Sequence, residues 1–103
     1  MGSPRSFDDL VRRALDTLPP EIAAGLDNVA IVVEGEHPDD PDLFGLFQEE
    51  PYMPARIVIY RIPLEESFPD PVELEREIRI TVLHELGHYF GMDEGRIAEL
   101  GYE

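Results

Sequence analysis

His84-Glu85-Leu86-Gly87-His88 is a contiguous H-E-x-x-H, and Gly91 follows three residues after the second histidine. On an α-helix, side chains four apart project from one face about one turn apart, so both imidazoles reach a common ion. Glu85 then points to the flank of that pair. Two neutral imidazoles beside a carboxylate are the donor set of a zinc hydrolase, with one Zn2+ per chain. The expected reaction is hydrolysis of a peptide bond by zinc-bound water, with Glu85 as the catalytic base that passes the proton to the leaving amine. The chain has three histidines, and two of them are used here.

Catalytic zinc keeps three protein ligands and one open position, so a further donor is required. Gly91 lets the chain turn after the helix, and the next candidates are Asp93 and Glu94. Asp93 also stands where an N-cap for a last short helix would stand, with Glu94 in its first turn. Tyr102, Tyr60 and His37 are the available donor types for an oxyanion. Nothing in the sequence selects one of them, and the stabiliser stays unassigned.

The helix that positions the histidines has a clear start. Asp70-Pro71-Val72-Glu73 combines an Asp N-cap, a proline at the first helical position and a glutamate at the third. The helix should run to about Phe90, roughly 30 Å, with Gly91 as its stop. A wheel sets Ile78, Val82, Leu86, Tyr89 and Phe90, with Leu83 beside them, on the side that packs into a core. Glu77, Ile80, Thr81, His84, His88 and Gly91 form the opposite stripe. Glu75 and Arg79 are spaced for an i,i+4 ion pair. Gly87 costs about 1 kcal/mol relative to alanine inside a helix, and close backbone approach is the natural reason for it.

Upstream, Ser6 reads as the N-cap of a first helix carrying Leu10, Val11, Ala14, Leu15 and Leu18, which Pro19-Pro20 ends. Pro20 can open a short turn that Gly25 closes. Val29 to Val33 is an apolar, β-branched run with the mark of a strand buried on both faces. Glu34 to Asp42 reads as an exposed loop. Leu43 to Phe47 reads as a brief edge strand, followed by a loop from Glu49 to Pro54. Arg56 to Ile62 reads as a second buried strand that Pro63 terminates. If the edge strand lies over the site helix, a peptide adds to it through Gly45 and Leu46 by backbone hydrogen bonding.

A chain of 103 residues, 43% hydrophobic, is expected to be a single domain over 1–103. Eight basic against 23 acidic residues give a formal charge of -15, which opposes nucleic acid and anionic membranes as partners and with them a metal-dependent nuclease. The acidic surface serves solubility, and a preference for basic peptides would show as a salt-dependent KM. There is no cysteine, which removes thiolate sites and disulfides and suits a reducing, cytoplasmic setting. No apolar run reaches membrane-span length, and the first residues lack a signal peptide's basic and apolar segments. Met1-Gly2-Ser3-Pro4-Arg5-Ser6 matches a myristoylation pattern formally, but an initiator or tag remnant explains it as well.

The stretch from His84 to Glu94 resembles the extended motif H-E-x-x-H-x-x-G-x-x-[HD] of zincins. More specifically, the chain resembles the small bacterial zincin-like, minimal metalloprotease-like proteins, a family of predicted zinc metallopeptidases. The likeness runs through Leu18-Pro19-Pro20-Glu21, Asp27-Asn28-Val29, Leu43 to Phe47, Ile57 to Tyr60 and Val82 to Tyr102. It implies an α+β, zincin-like fold: a small mixed sheet of three to four strands on an N-terminal helix and the long H-E-x-x-H helix, with a short C-terminal helix. It further implies that His84 and His88 bind zinc, that Glu85 is the base, and that the last motif position completes the site. That position holds Glu94, where the family pattern has aspartate or histidine. Motif register favours Glu94 as ligand and Asp93 as cap. Peptides or unfolded proteins are the expected substrates. So small a domain leaves little for a second cleft wall, which makes an accessory protein a candidate partner. The alternative is a zincin-like domain of weak or no activity that binds metal or a protein.

Overall fold

The computed structural model describes residues 6–93, 95, 96 and 99. Its elements follow as α1 (Phe7–Asp16), α2 (Pro20–Ala23), a 3-10 turn (Ala24–Asn28), β1 (Val29–Glu34), β2 (Gly45–Glu50), β3 (Met53–Tyr60), α3 (Arg61–Ser67) and α4 (Pro71–Tyr89). This is the expected α+β class, with a three-stranded mixed sheet in the order β1-β3-β2. β1 runs parallel to β3, and β2 runs antiparallel on its other side.

Both major helices begin as their caps predict. Ser6 Oγ accepts the Asp9 N–H at 3.1 Å, and Asp70 Oδ2 accepts the Glu73 N–H at 3.1 Å. Each bond satisfies one of the N–H groups that a helix start leaves without an intrahelical partner. α1 turns Phe7, Leu10, Val11 and Ala14 inward, and α4 turns Leu74, Ile78, Val82, Leu83 and Leu86 inward. They close over Ala55, Ile57 and Ile59 of β3, so helices and sheet share one core. Ile57, Ile59, Ile78, Val82, Leu83 and Leu86 are all at 0% exposure. Each contributes about 1.5–3 kcal/mol of burial free energy, which fixes the helix axis over the sheet.

Tertiary packing redraws several boundaries. β3 starts at Met53, because a two-residue turn at Pro51-Tyr52 replaces the expected loop from Glu49 to Pro54. Pro54 is tolerated there, since β1 first pairs with β3 at Ala55. β1 is not buried on both faces: it is an edge, Ala30 and Glu34 are exposed, and Ile31, Val32 and Val33 are half-buried. Pro63 does not end a strand. It lies in the first turn of α3, where its missing N–H has no helical acceptor to lose, and Arg61 and Glu65 clamp that helix at 2.8 Å. Gly25 does not close the turn after α2, which continues as 3-10 helix to Asn28.

In α4, Glu75 accepts from Arg13 of α1 at 2.9 Å instead of from Arg79, whose buried Nε has no hydrogen-bond partner among the described residues. Tyr89 and Phe90 leave the core side expected for them and are each 40% exposed, with Tyr89 stacked on Phe47 of β2 and Phe90 against Gly25. The C-terminal helix falls largely outside the described residues, although Gly95, Arg96 and Glu99 are helical. No helix among the described residues is long and apolar enough to cross a membrane.

Leu83 sits at the centre of the α4 contact, so Leu83→Ala should lower unfolding free energy by about 2–5 kcal/mol through lost burial and a residual cavity. Urea denaturation measures the change, and a loss below ~1 kcal/mol would contradict the packing described.

Candidate active site

α4 carries His84, Glu85 and His88 in its last turns, on the side away from Val82, Leu83 and Leu86. Both imidazoles project from one face, with ring centroids 6.1 Å apart and planes inclined by 41°. A histidine ligating zinc at ~2.0–2.1 Å holds its ring centre about 3 Å from the ion, so two rings sharing one ion stand roughly 5–6 Å apart. The observed separation lies just beyond that range, so a small inward turn of the rings would bring both onto one ion. His84 Nδ1 lies 3.3 Å from the Ile80 carbonyl oxygen. The tautomer that donates this bond leaves Nε2 without a proton, as a metal-ligating histidine requires.

The carboxylate of Glu85 turns toward the sheet. Its Oε1 accepts the backbone N–H of Phe47 in β2 at 3.1 Å. β2 is the sheet's free edge on this side, and its register shows which groups face outward. Tyr60 N–H donates to Phe44 O at 2.9 Å, and Gly45, Leu46 and Phe47 oppose Ile59, Val58 and Ile57. Hydrogen-bonded pairs alternate along an antiparallel ladder, so Leu46 directs its peptide groups to β3 while Gly45 and Phe47 present theirs to the open edge. Of the two residues expected to bind a peptide strand, Gly45 has backbone groups at that edge and Leu46 does not.

Gly45 also lies directly against α4. A Cβ built there would stand 2.6 Å from Thr81 Cγ2 and 3.3 Å from Val58 O. Below this contact opens a cleft of about 450 Å³ between the Asp40–Gly45 segment and the Glu77–Glu85 stretch of α4. His84 and Glu85 line it together with Asp40, Asp42 and Glu77. Four carboxylates on one concave surface attract cations and repel anions. The segment that follows β1 thus forms one side of this open cleft. On the other side of Glu85, the Phe47 ring stacks on Tyr89 at 4.8 Å and 29°.

The chain leaves α4 through Gly91, whose φ of 76° is left-handed. Met92 N–H then donates to Gly87 O at 2.8 Å and Gly91 N–H to His88 O at 3.0 Å, so the turn closes on the helix end that bears His88. The Phe90 ring packs against Gly25, where even a methyl group would collide with it. Asp93 Oδ1 accepts the Arg96 N–H at 2.8 Å, which is the geometry of a helix cap. Glu94, the expected third ligand, lies outside the described residues, as does Tyr102. Among the described residues, no group of three His, Cys, Asp or Glu side chains is arranged to hold a metal ion.

The other two oxyanion candidates are not brought to the cleft. Tyr60 alternates with Ile59 and so belongs to the sheet face away from α4, where His37 meets it edge-on at 5.7 Å. Burial, and secondarily Glu34, raise the Tyr60 phenol above its ordinary pKa. Two contributors to the site are invisible to a search by residue type: the Phe47 N–H, a backbone group that every residue but proline has, and the lack of a side chain at Gly45 opposite Thr81. The signals in the sequence are that Thr81 shares the histidine stripe and that Leu43 to Phe47 reads as an edge strand able to lie over the site helix.

A family model described as zincin-like metallopeptidase matches residues 26–102, which takes in the whole sheet, α3, α4 and the H-E-x-x-H. No curated protein matches the chain.

Because Gly91 holds a left-handed conformation, Gly91→Ala should destabilise the fold by about 1–2 kcal/mol. Chemical denaturation checks this, and an unchanged midpoint would contradict the turn.

Proposed function

We propose that this chain, which belongs to the zincin-like metallopeptidase family, is a zinc-dependent endopeptidase acting on peptides or unfolded proteins. The family carries a peptidase-type hydrolase function and, in general, zinc. One observation supports the finer assignment: two imidazoles share the outer face of a packed helix, while the intervening glutamate reaches an open strand edge beside a cleft. His84 and His88 would hold the ion. Glu94 would complete the set, since Asp93 is engaged as a cap for Arg96.

Zinc, when bound, supplies Lewis acidity that acidifies water and polarises a carbonyl. The remaining work falls to the chain's own groups. Glu85 accepts the proton of the attacking water and delivers it to the leaving amine, so one carboxylate serves as base and then as acid. The outward N–H and C=O of Gly45 would align an extended peptide along β2. Asp40 to Gly45 and the outer face of α4 form the walls between which the substrate lies. A cytoplasmic setting, with no nucleic acid or membrane partner, completes the proposal.

Purified wild type should contain about one zinc per chain, and His88→Ala should lose most of it. Elemental analysis decides this, and equal zinc in both proteins would remove the premise. Glu85→Gln should retain zinc and fold but hydrolyse an unstructured protein about 10²–10⁴-fold more slowly. Equal rates in the two proteins would show that Glu85 is not the base.

A further inference from the structure

We propose that Gly45 is a positioning residue for Glu85: having no side chain, it seats β2 so close to α4 that the Phe47 N–H holds one oxygen of the carboxylate. The proposal rests on Glu85 being the base and adds what keeps it in place.

Two contacts carry it, and they are in register. Thr81 and Glu85 are four residues apart on α4, a rise of about 6 Å. Gly45 and Phe47 are two apart on β2, a rise of about 6.6–6.8 Å. Gly45 therefore meets Thr81 where Phe47 meets Glu85, and the strand is seated on the helix at two points. At the first, a Cβ on residue 45 would lie 2.6 Å from Thr81 Cγ2, well inside van der Waals contact. Thr81 cannot turn away cheaply, because its Oγ1 donates to Glu77 O at 2.8 Å. At the second, the Phe47 N–H to Glu85 Oε1 distance is 3.1 Å, near the long end of the hydrogen-bonding range. Any side chain at 45 lifts the strand and breaks the bond.

The effect on catalysis is one of orientation. A free glutamate side chain samples many rotamers, whereas a base must keep one oxygen within hydrogen-bond reach of the proton it removes. With Oε1 anchored on the amide, Oε2 would be the oxygen that takes the proton of the attacking water. The Phe47 N–H lies on the non-pairing side of β2, so anchoring Glu85 costs the sheet no ladder bond.

The test measures amide hydrogen exchange at Phe47 in the metal-free protein, and kcat and KM on an unfolded protein in the zinc-loaded one. Gly45→Ala should speed Phe47 exchange and lower kcat, each about tenfold or more, with KM changed much less. Adding Thr81→Ser, which removes the colliding methyl and keeps the hydroxyl, should restore both. Unchanged Phe47 exchange in Gly45→Ala would overturn the proposal. So would lost protection with wild-type kcat, or a folded double variant in which neither value recovers. Should Gly45→Ala not fold, Glu85→Ala decides, because Phe47 protection that survives removal of the carboxylate excludes the bond. A wild type that shows the full exchange pattern yet hydrolyses nothing would defeat the assignment of Glu85 as base, separately from the seating of the strand.

Discussion

One helix has to be both a wall of the core and the floor of the site, and the rest of the molecule is arranged around that constraint. Leu74, Ile78, Val82, Leu83 and Leu86 are held against α1 and β3 by apolar burial, which leaves α4 no freedom to roll or slide. The outer face of the same turns carries Thr81, His84, Glu85 and His88. Chemistry on that face inherits its precision from packing on the other, since interiors are close-packed and resist displacement. The H-E-x-x-H spacing keeps both imidazoles on one face of a helix whose other face is packed against the sheet.

The sheet answers with an edge. Because β3 is central and pairs with β1 on its other side, β2 is left with one open flank, and that flank runs along the outer face of α4. An open strand edge is ordinarily a liability for self-association. Here Glu85 occupies the Phe47 N–H, the Phe47 ring stacks on Tyr89, and the Asp40–Gly45 segment folds over the start of the strand to make a cleft. The acids that dominate the charged residues reach that cleft as Asp40, Asp42 and Glu77, so the net charge has a local expression at the site as well as a global one.

The end of α4 is fixed from outside. Gly91 turns the chain back, Phe90 lies on Gly25 of the 3-10 turn, and Asp93 caps the segment containing Arg96. Tyr89 and Phe90 therefore do not follow the core stripe: Tyr89 stacks on Phe47 of β2 and Phe90 packs on the 3-10 turn.

What local chemistry dictates was legible in the amino-acid order. Ser6 and Asp70 cap their helices because short polar side chains reach the N–H three residues on, and Gly91 ends α4 because it adopts a left-handed φ without strain. The H-E-x-x-H on a helix with one apolar side follows from periodicity, β2 as an edge strand from its shortness between loops, and the α+β class from the family resemblance. Tertiary structure decided what depends on neighbours distant in sequence. Pro63 lies in the first turn of α3 instead of ending β3, β1 is a half-exposed edge, and Glu75 chooses Arg13 over Arg79, because each outcome depends on which element lies alongside. The same holds at the site. Residue spacing places two imidazoles on one face, but only the approach of β2 to α4 gives Glu85 its amide partner and makes the missing side chain of Gly45 matter, because contact between two elements is a property of their packing and not of either sequence segment.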